Sequence, residues 1–594
     1  MYKLPVTLTL TSVLVLVFNS NALVKINDSN KLRFRIVLNI DDSKMMYMKQ
    51  LHENISNPLN EMYKKYLKPN EIQELLVNNT ENIKVLDWVN NNNLTCDNYK
   101  YVFSCFDYIY KLNKLFNVTM YYHYYNNKTY IKSLEDFYTI PTEISEYIAF
   151  VDGISNNIFN PRKTKYSETL TQTRTKASSP VPDTRLVGRD TLQYVYNIST
   201  NDTIRYGSSG CVIEFRNGGY QNGLLEYYEM INNIYSDVIS INHSIGNNDQ
   251  FDIETLLDMD MLLLTSGNLT LWYANFDTWI YEMTTYFGNA EQIPYVVSIS
   301  YGWSIRDQCM FGKCNNITSG QYVEYTDIGL MIMGMRGITI VVASGDAGSP
   351  SRSNEGCDDK EFHINAEYPG SSPYVLSVGG VFLDKSNQKF DNPETLLCTL
   401  YDCAKGREQS TINYDDVEWT TGGGFGMYTT QSNVSWQHNL VEEYLNSGVY
   451  LPPEHSSTGK VEWNRKMRAY PDVVALAHNC PIYGGMLMLV DGTSCSAPIV
   501  AGMMVLINDY MFSVGRQPIG FINNILYQSV ERSNDNIISN HNITITNTHC
   551  TEYQCCNELF GFEQNDKQSL WNPISGLGSI NYGNLLRYLS NEFD

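Results

Sequence analysis

Positive charge is scarce in this chain of 594 residues: Lys and Arg number 42 against 64 Asp and Glu, for a formal net charge of −22. A surface so anionic repels nucleic-acid phosphate at long range, which excludes DNA or RNA binding as the main role. An acidic working compartment suits it better, because carboxylates partly protonate there and self-repulsion falls. Long apolar runs are missing everywhere but at the start, so no later segment is expected to span a bilayer, which takes roughly 20 apolar residues. Zinc-type spacing is missing too. The 13 cysteines include no Cys-X-X-Cys and no Cys/His cluster, which argues against a structural metal knuckle.

What is present points to the secretory route. Met1 to Phe18 carries one Lys and then an unbroken run rich in Leu and Val, followed by small residues up to Ala22; residues 1–22 read as a signal peptide. Asn-X-Ser/Thr sequons recur at Asn27, Asn54, Asn78, Asn93, Asn117, Asn127, Asn197, Asn201, Asn242, Asn268, Asn316, Asn433 and Asn542, a density that fits a glycosylated lumenal protein. Three close cysteine pairs, Cys96/Cys105, Cys309/Cys314 and Cys398/Cys403, read as local disulfides in an oxidising lumen. Their total is odd, and Cys495 is the expected free thiol.

The chain divides by pattern. Residues 23–160 mix strand and helix signals: Leu32 to Leu38 alternates with period two, Pro69 opens a helical stretch, and Val118 to Tyr125 is rich in Tyr and β-branched residues, which predicts an α+β unit. Residues 161–189 are crowded with Lys, Arg, Thr, Ser and Pro and carry no apolar period; they are expected to form an exposed, cleavable linker. From residue 190 to 594 short β-branched runs such as Ile293 to Ser300 and Gly337 to Ser344 alternate with helices such as Tyr325 to Met335, the mark of an α/β unit with a mostly parallel sheet.

Chemistry concentrates at three places. Asp491 to Pro498 is a small-residue turn feeding the apolar run Ile499 to Ile507, which sets Ser494 at a helix N-terminus, where unpaired N–H groups favour a developing oxyanion. The octet resembles the nucleophile segment of subtilisin-like peptidases, whose base is a histidine followed by glycine. None of the nine histidines (His52, His123, His243, His363, His438, His455, His478, His541 and His549) precedes a glycine, so another group has to take the proton. Glu254 and Asp258, at i and i+4 of a helix predicted over Ile253 to Leu264, share one helix face. Asp346, in Ser344-Gly345-Asp346 at a predicted strand end, can reach into a cleft.

Together Glu254, Asp258, Asp346 and Ser494 resemble the catalytic set of the sedolisins, the serine-carboxyl peptidases. Further matching segments include Asp87-Trp88-Val89, Val297 to Gly302, Gly422 to Phe425, Pro471 to Val473 and Trp571 to Gly576. The order of parts is similar to that of the tripeptidyl peptidases within the family. The resemblance implies a subtilisin-like doubly wound, mostly parallel sheet, preceded by a ferredoxin-like prodomain that inhibits the enzyme. It also implies Glu254 as general base, Asp258 orienting it, and a protonated Asp346 donating to the oxyanion. Gly422, Gly423 and Gly424 would line an extended substrate strand, with Ser300 and Gly302 across the cleft. The implied activity is release of tripeptides from free N-termini of peptides or unfolded proteins at acid pH, in the lysosome or after secretion. An endopeptidase of the same family would share every one of these residues, and a catalytically silent homologue is the remaining reading. The chemistry requires no cofactor. One structural calcium ion is implied at positions falling on Asn542, Ile543 and Asn572; Asn in place of two Asp removes two negative charges and weakens such a site.

Overall fold

The structure is a computed structural model. It describes residues 23–591 apart from 28, 126–127, 134, 136, 155–164, 167–181, 216–217, 243–251, 310–313, 316, 353–363, 386–387, 431–433, 457–458, 533–536, 540–542 and 565–568. The signal segment 1–22, most of the linker and Asn542 therefore lie outside the described residues.

One sheet of the N-terminal unit has four strands, β1 (Lys31–Leu38), β2 (Cys96–Asn98), β3 (Val102–Tyr108) and β4 (Ile148–Asp152). They pair antiparallel in the order β2-β3-β1-β4. Helices α1 (Asp42–Ser56), α2 (Pro69–Leu76) and α3 (Asn79–Asn91) connect β1 to β2, and α4 (Ile109–Phe116) follows β3. This is the ferredoxin-like arrangement that the resemblance implied. Period two divides β1 between two cores. Leu32, Phe34, Ile36 and Leu38 face the unit's own interior, whereas Val37 joins a cluster shared with the second domain.

The second domain is built on parallel strands β5 (Ser209–Phe215), β6 (Ser236–Asn242), β7 (Leu269–Phe276), β8 (Val296–Ile299), β9 (Thr339–Ala343), β10 (Leu376–Leu383) and β11 (Val473–Leu476). Their spatial order is β6-β7-β5-β8-β9-β10-β11. The chain steps outward from β5 and then crosses back to β8, so the order reverses between them. A ligand crevice in such sheets opens at the carboxyl ends of the strands at that reversal. A hairpin of β12 (Cys480–Tyr483) and β13 (Leu487–Asp491) leads into the nucleophile turn.

Helices α5 (Ile253–Ser266), α6 (Ile280–Asn289), α7 (Ser319–Met335) and α8 (Thr493–Ser513) complete this core. α5 and α8 lie side by side, with Gly502 of α8 against Thr265 of α5. Among the described residues α8 is the one helix long and apolar enough to cross a membrane by composition, and it is mostly buried. That differs from the expectation that no later segment qualified: the run is apolar because it passes through the domain centre. The predicted stripe on α5 is likewise a helix buried on every side, from Glu254 to Ser266.

The two units dock through the side of the second domain that carries α6 and α7. Leu67 N–H donates to the Met335 carbonyl (2.9 Å), Tyr66 Oη to the Pro518 carbonyl (2.9 Å) and Gln73 to Asn289 (2.9 Å). Buried Arg35 joins Asp152 of its own unit (2.6 Å) to Glu282 of α6. His52 of α1 is inserted between the rings of Tyr374 and Phe521. One boundary moves. Residues 182–189, expected as linker, belong to the second domain: Asp183 N–H bonds the Leu383 carbonyl, Val187 N–H bonds the Asn479 carbonyl, and Leu186 and Val187 are buried.

The expected disulfides Cys96–Cys105, Cys309–Cys314 and Cys398–Cys403 are formed, and so is Cys550–Cys555, for which the sequence suggested no assignment. Cys495 is free as expected, together with Cys211 and Cys480.

Candidate active site

The carboxyl ends of β8 and β9 and the N-terminus of α8 meet at one place. After β13, Gly492 turns the chain at φ 147°, and Ser494 enters the first turn of α8, buried. Its Oγ donates to the carbonyl of Ser300, which follows β8, at 3.5 Å. Ser300 Oγ donates to Asp258 Oδ1 at 2.6 Å and lies 3.4 Å from the Ser494 carbonyl. One hydroxyl thus ties the Asp258 carboxylate to the nucleophile turn.

Glu254 lies one helical turn before Asp258, and both are buried. The charge of Glu254 is felt by the thiol of Cys495, the residue after Ser494. Burial is the larger cause that pushes that thiol up, so it stays protonated and packs as a small apolar group.

Asp346 follows β9. Its Oδ1 accepts from Thr493 N–H (2.8 Å) and Thr493 Oγ1 (2.6 Å), and Oδ2 faces Arg352 Nη2 at 3.2 Å and the Gly492 turn. The carboxyl is clamped on the helix N-terminus through Thr493, the residue before Ser494. Asp258, Asp346 and Ser494 thus lie about one edge of the sheet, with Glu254 one turn from Asp258 on α5.

The substrate-side expectations fare unevenly. Ser300 and Gly302 follow β8, and Ser300 bonds Asp258 and the Ser494 turn. The glycines Gly422 to Gly424, expected to offer bare backbone to a substrate strand, have part of that backbone engaged inside the chain. Gly422 N–H donates to the Gly345 carbonyl (2.7 Å), its carbonyl accepts from Ser344 Oγ (2.7 Å), and the Gly423 carbonyl accepts from Ser349 Oγ (2.5 Å). Their lack of side chains lets the segment carrying Asp346 approach closely. A Cβ at Gly423 would sit 1.8 Å from the Pro573 carbonyl oxygen, whereas one at Gly223 meets nothing within 4 Å. Gly423→Ala is expected to cost about 3 kcal/mol or more of stability and Gly223→Ala to leave it nearly unchanged, as read by urea unfolding of the two zymogens.

Two of the implied calcium ligands are engaged within the chain, and Asn542 lies outside the described residues. Asn572 Oδ1 accepts the N–H groups of Ile574 (3.0 Å) and Ser575 (2.9 Å), and its amide donates to Ser575 Oγ (2.8 Å). The side chain folds its own loop, with its carbonyl oxygen taken up by backbone donors. Ile543 pairs with Gln409 in a short strand. Among the described residues no group of three His, Cys, Asp or Glu is placed to hold a metal.

Sequence reasoning missed Glu214. It is fully buried in β5 and accepts from Tyr301 Oη at 2.6 Å. Burial first, then the charges of Asp252 and Glu254, push its carboxyl well above the usual range, so it is held neutral next to the Glu254 helix. A single acid inside the otherwise apolar run Cys211 to Phe215 was the available signal. Asp260, on the same helix as Glu254, is buried too, and its Oδ2 accepts Tyr483 N–H (3.2 Å).

A subtilisin-type sheet, a serine at the N-terminus of its central helix and carboxyls in place of histidine define a serine peptidase of the serine-carboxyl class. Comparison with known proteins agrees. Residues 19–157 match the pro-kumamolisin activation domain, and residues 259–518 match the subtilase family. Physarolisin of Physarum polycephalum is 32% identical over 459 residues, covering 76% of this chain and 75% of its own. Tripeptidyl-peptidase 1 of Rattus norvegicus is 25% identical (78% and 74% covered), and that of Dictyostelium discoideum 26% (78% and 73%). Pseudomonas sedolisin, a serine-carboxyl proteinase complexed with pseudo-iodotyrostatin, superposes with a TM-score of 0.51 at 20% identity, covering 70% of this chain and all of that one. The chain belongs to the sedolisin, or serine-carboxyl peptidase, family: an acid peptidase made as a zymogen in the secretory pathway, with an N-terminal activation prodomain.

Proposed function

We propose that this enzyme removes tripeptides from the free N-termini of peptides and unfolded proteins at acid pH, in the lysosome, with Ser494 as nucleophile and Glu254 as its base. Glu254, oriented by Asp258, accepts the Ser494 proton during attack on the scissile carbonyl and returns it to the leaving amine. Asp346 donates a hydrogen bond from its protonated form to the oxyanion; a charged carboxylate there would repel it. A carboxylate base whose ordinary pKa is about 4.3 and a neutral carboxylic-acid donor coexist in acid, which places the optimum there. The reaction uses side chains of this chain alone. While the prodomain is attached, it acts as the inhibitor.

The observation that carries the catalytic reading is the clustering itself: Asp258 joined through Ser300 to the Ser494 turn, and Asp346 clamped on Thr493. Likeness to proteins named tripeptidyl-peptidase 1 over three quarters of the chain supports tripeptide release. A peptide of a dozen or more residues, offered with a free and with an acetylated N-terminus, tests it. Sequential loss of tripeptides from the free form alone is expected. Cuts inside the acetylated peptide at a similar rate would make the enzyme an endopeptidase.

A further inference from the structure

Arg352 has no part in the catalytic set, yet its guanidinium lies on Asp346. Nη2 is 3.2 Å from Asp346 Oδ2, and Nε is 3.7 Å from Glu552 Oε1. All three side chains are about nine-tenths buried, with 10%, 12% and 11% exposed for Arg352, Asp346 and Glu552, so solvent screens them little.

Loops fix this contact. Ser349 N–H bonds the Thr548 carbonyl (2.8 Å) and Ser349 Oγ bonds Thr548 Oγ1 (2.7 Å). Gly348 sits so close beneath the second loop that a Cβ there would lie 2.2 Å from the Cys550 carbonyl. The Cys550–Cys555 disulfide closes the loop bearing Glu552.

We propose that Arg352 is a positioning residue that sets how acid the medium must be before Asp346 can serve as oxyanion donor, and so fixes the alkaline limb of the enzyme's activity. The proposal rests on the reading of Asp346 given above. Oδ1 is committed to accepting from Thr493, so the proton belongs on Oδ2. A guanidinium can only donate. It favours the carboxylate, and it competes for the oxygen that has to carry the proton. The acids around the turn act in the opposite sense. Glu552 offsets the arginine, the Glu367 carboxyl lies against Gly345, Asp491 sits beyond Gly492 with His478 at 2.7 Å, and Glu254 and Asp258 stand on α5. Arg352 and Glu552 thus form an opposed pair acting on one carboxyl.

The test is kcat against pH from 3 to 8 for the mature enzyme on a peptide reporter that the wild type cleaves. Arg352→Gln is expected to move the alkaline limb up by about one pH unit. Glu552→Gln should move it down, and Arg352→Lys, which keeps the charge, should leave it near the wild type. A limb that stays put or falls in Arg352→Gln, movement of the Gln variants in the same direction, or a folded Arg352→Gln enzyme silent at every pH would each overturn the proposal. Asp346→Ala separates this from the underlying reading. If it keeps its kcat, Asp346 is not the donor. If it loses about 100-fold or more while Arg352→Gln leaves the limb unmoved, the role of Arg352 alone fails.

Discussion

In the Glu254→Gln enzyme, kcat at acid pH is expected to fall about 10⁴- to 10⁶-fold, the scale on which loss of a base silences a serine peptidase, with KM little changed. Glutamine keeps the shape and hydrogen-bonding ability of the side chain at the first turn of α5 but cannot accept a proton in the pH range of the enzyme. Its neighbours make the loss hard to rescue. Glu214 is held neutral by burial, then by the charges of Asp252 and Glu254, and Asp258 is occupied by Ser300 Oγ at 2.6 Å. Removing the charge of Glu254 also relieves one cause of the upward push on Glu214, and the Tyr301 bond at 2.6 Å keeps that carboxyl facing Tyr301. Activity of Glu254→Gln within tenfold of the wild type would show that the proton goes elsewhere.

Replacing His52 by Leu is expected to hold the prodomain on in acid. His52 is buried in the interface between Tyr374, Phe521 and Gly334, its Nε2 without a hydrogen-bond partner. Burial pushes it from the ordinary 6.5 to about 3. When α1 lifts away, the ring titrates normally, so below pH 6.5 the undocked form binds more protons than the docked one. Docking is therefore complete in its stability above about pH 6.5 and weakens as the pH falls toward 3. At pH 4.5 the difference is about 3 kcal/mol, or about 100-fold in the docking equilibrium. Glu53 on the same helix and Asp152 beneath Arg35 are pushed up by burial and take up protons more readily when docked. They pull the other way, as does nothing in a leucine. Lys49 on α1 faces Glu324 at 3.6 Å. Hydrogen exchange of residues 42–56 in a Ser494→Ala zymogen, which cannot cut itself, reads the docking directly. His52→Leu should protect these amides to a lower pH than wild type, and equal midpoints would remove His52 from the acid response.

The legible parts of the site were those where one short segment states its own chemistry. The Asp491 to Pro498 octet declares a turn into a helix, and the helical spacing of Glu254 and Asp258 places them on one face. Missing histidine-glycine pairs then forced attention onto carboxyls. What stayed hidden depends on approach between distant segments. Arg352 reaches Asp346 only because the loop around Thr548 holds its chain down, and the Gly422 to Gly424 backbone is partly spent on the Asp346 segment because the fold brings Pro573 against it. Asn572 looked like a weakened metal ligand until its oxygen proved to be closing a turn. Residues 182–189 have a linker's composition, yet Leu186 and Val187 find an apolar seat between Asn479 and Cys403. Arg33 and Arg35 both read as the polar face of β1, but Arg35 is buried with Asp152 and Glu282, a pairing that no local period announces.

The most direct test of proton transfer from Ser494 to a carboxylate is the rate at which Ser494 is acylated by an activated peptide ester, followed by intact mass and peptide mapping of the mature enzyme from pH 3 to 8. The account predicts an adduct on Ser494, formed fast in acid, slowing toward neutrality, and nearly abolished in Glu254→Gln. An adduct on any other residue, a rate that peaks near pH 7.5, or undiminished acylation of Ser494 in the Glu254→Gln enzyme would contradict it.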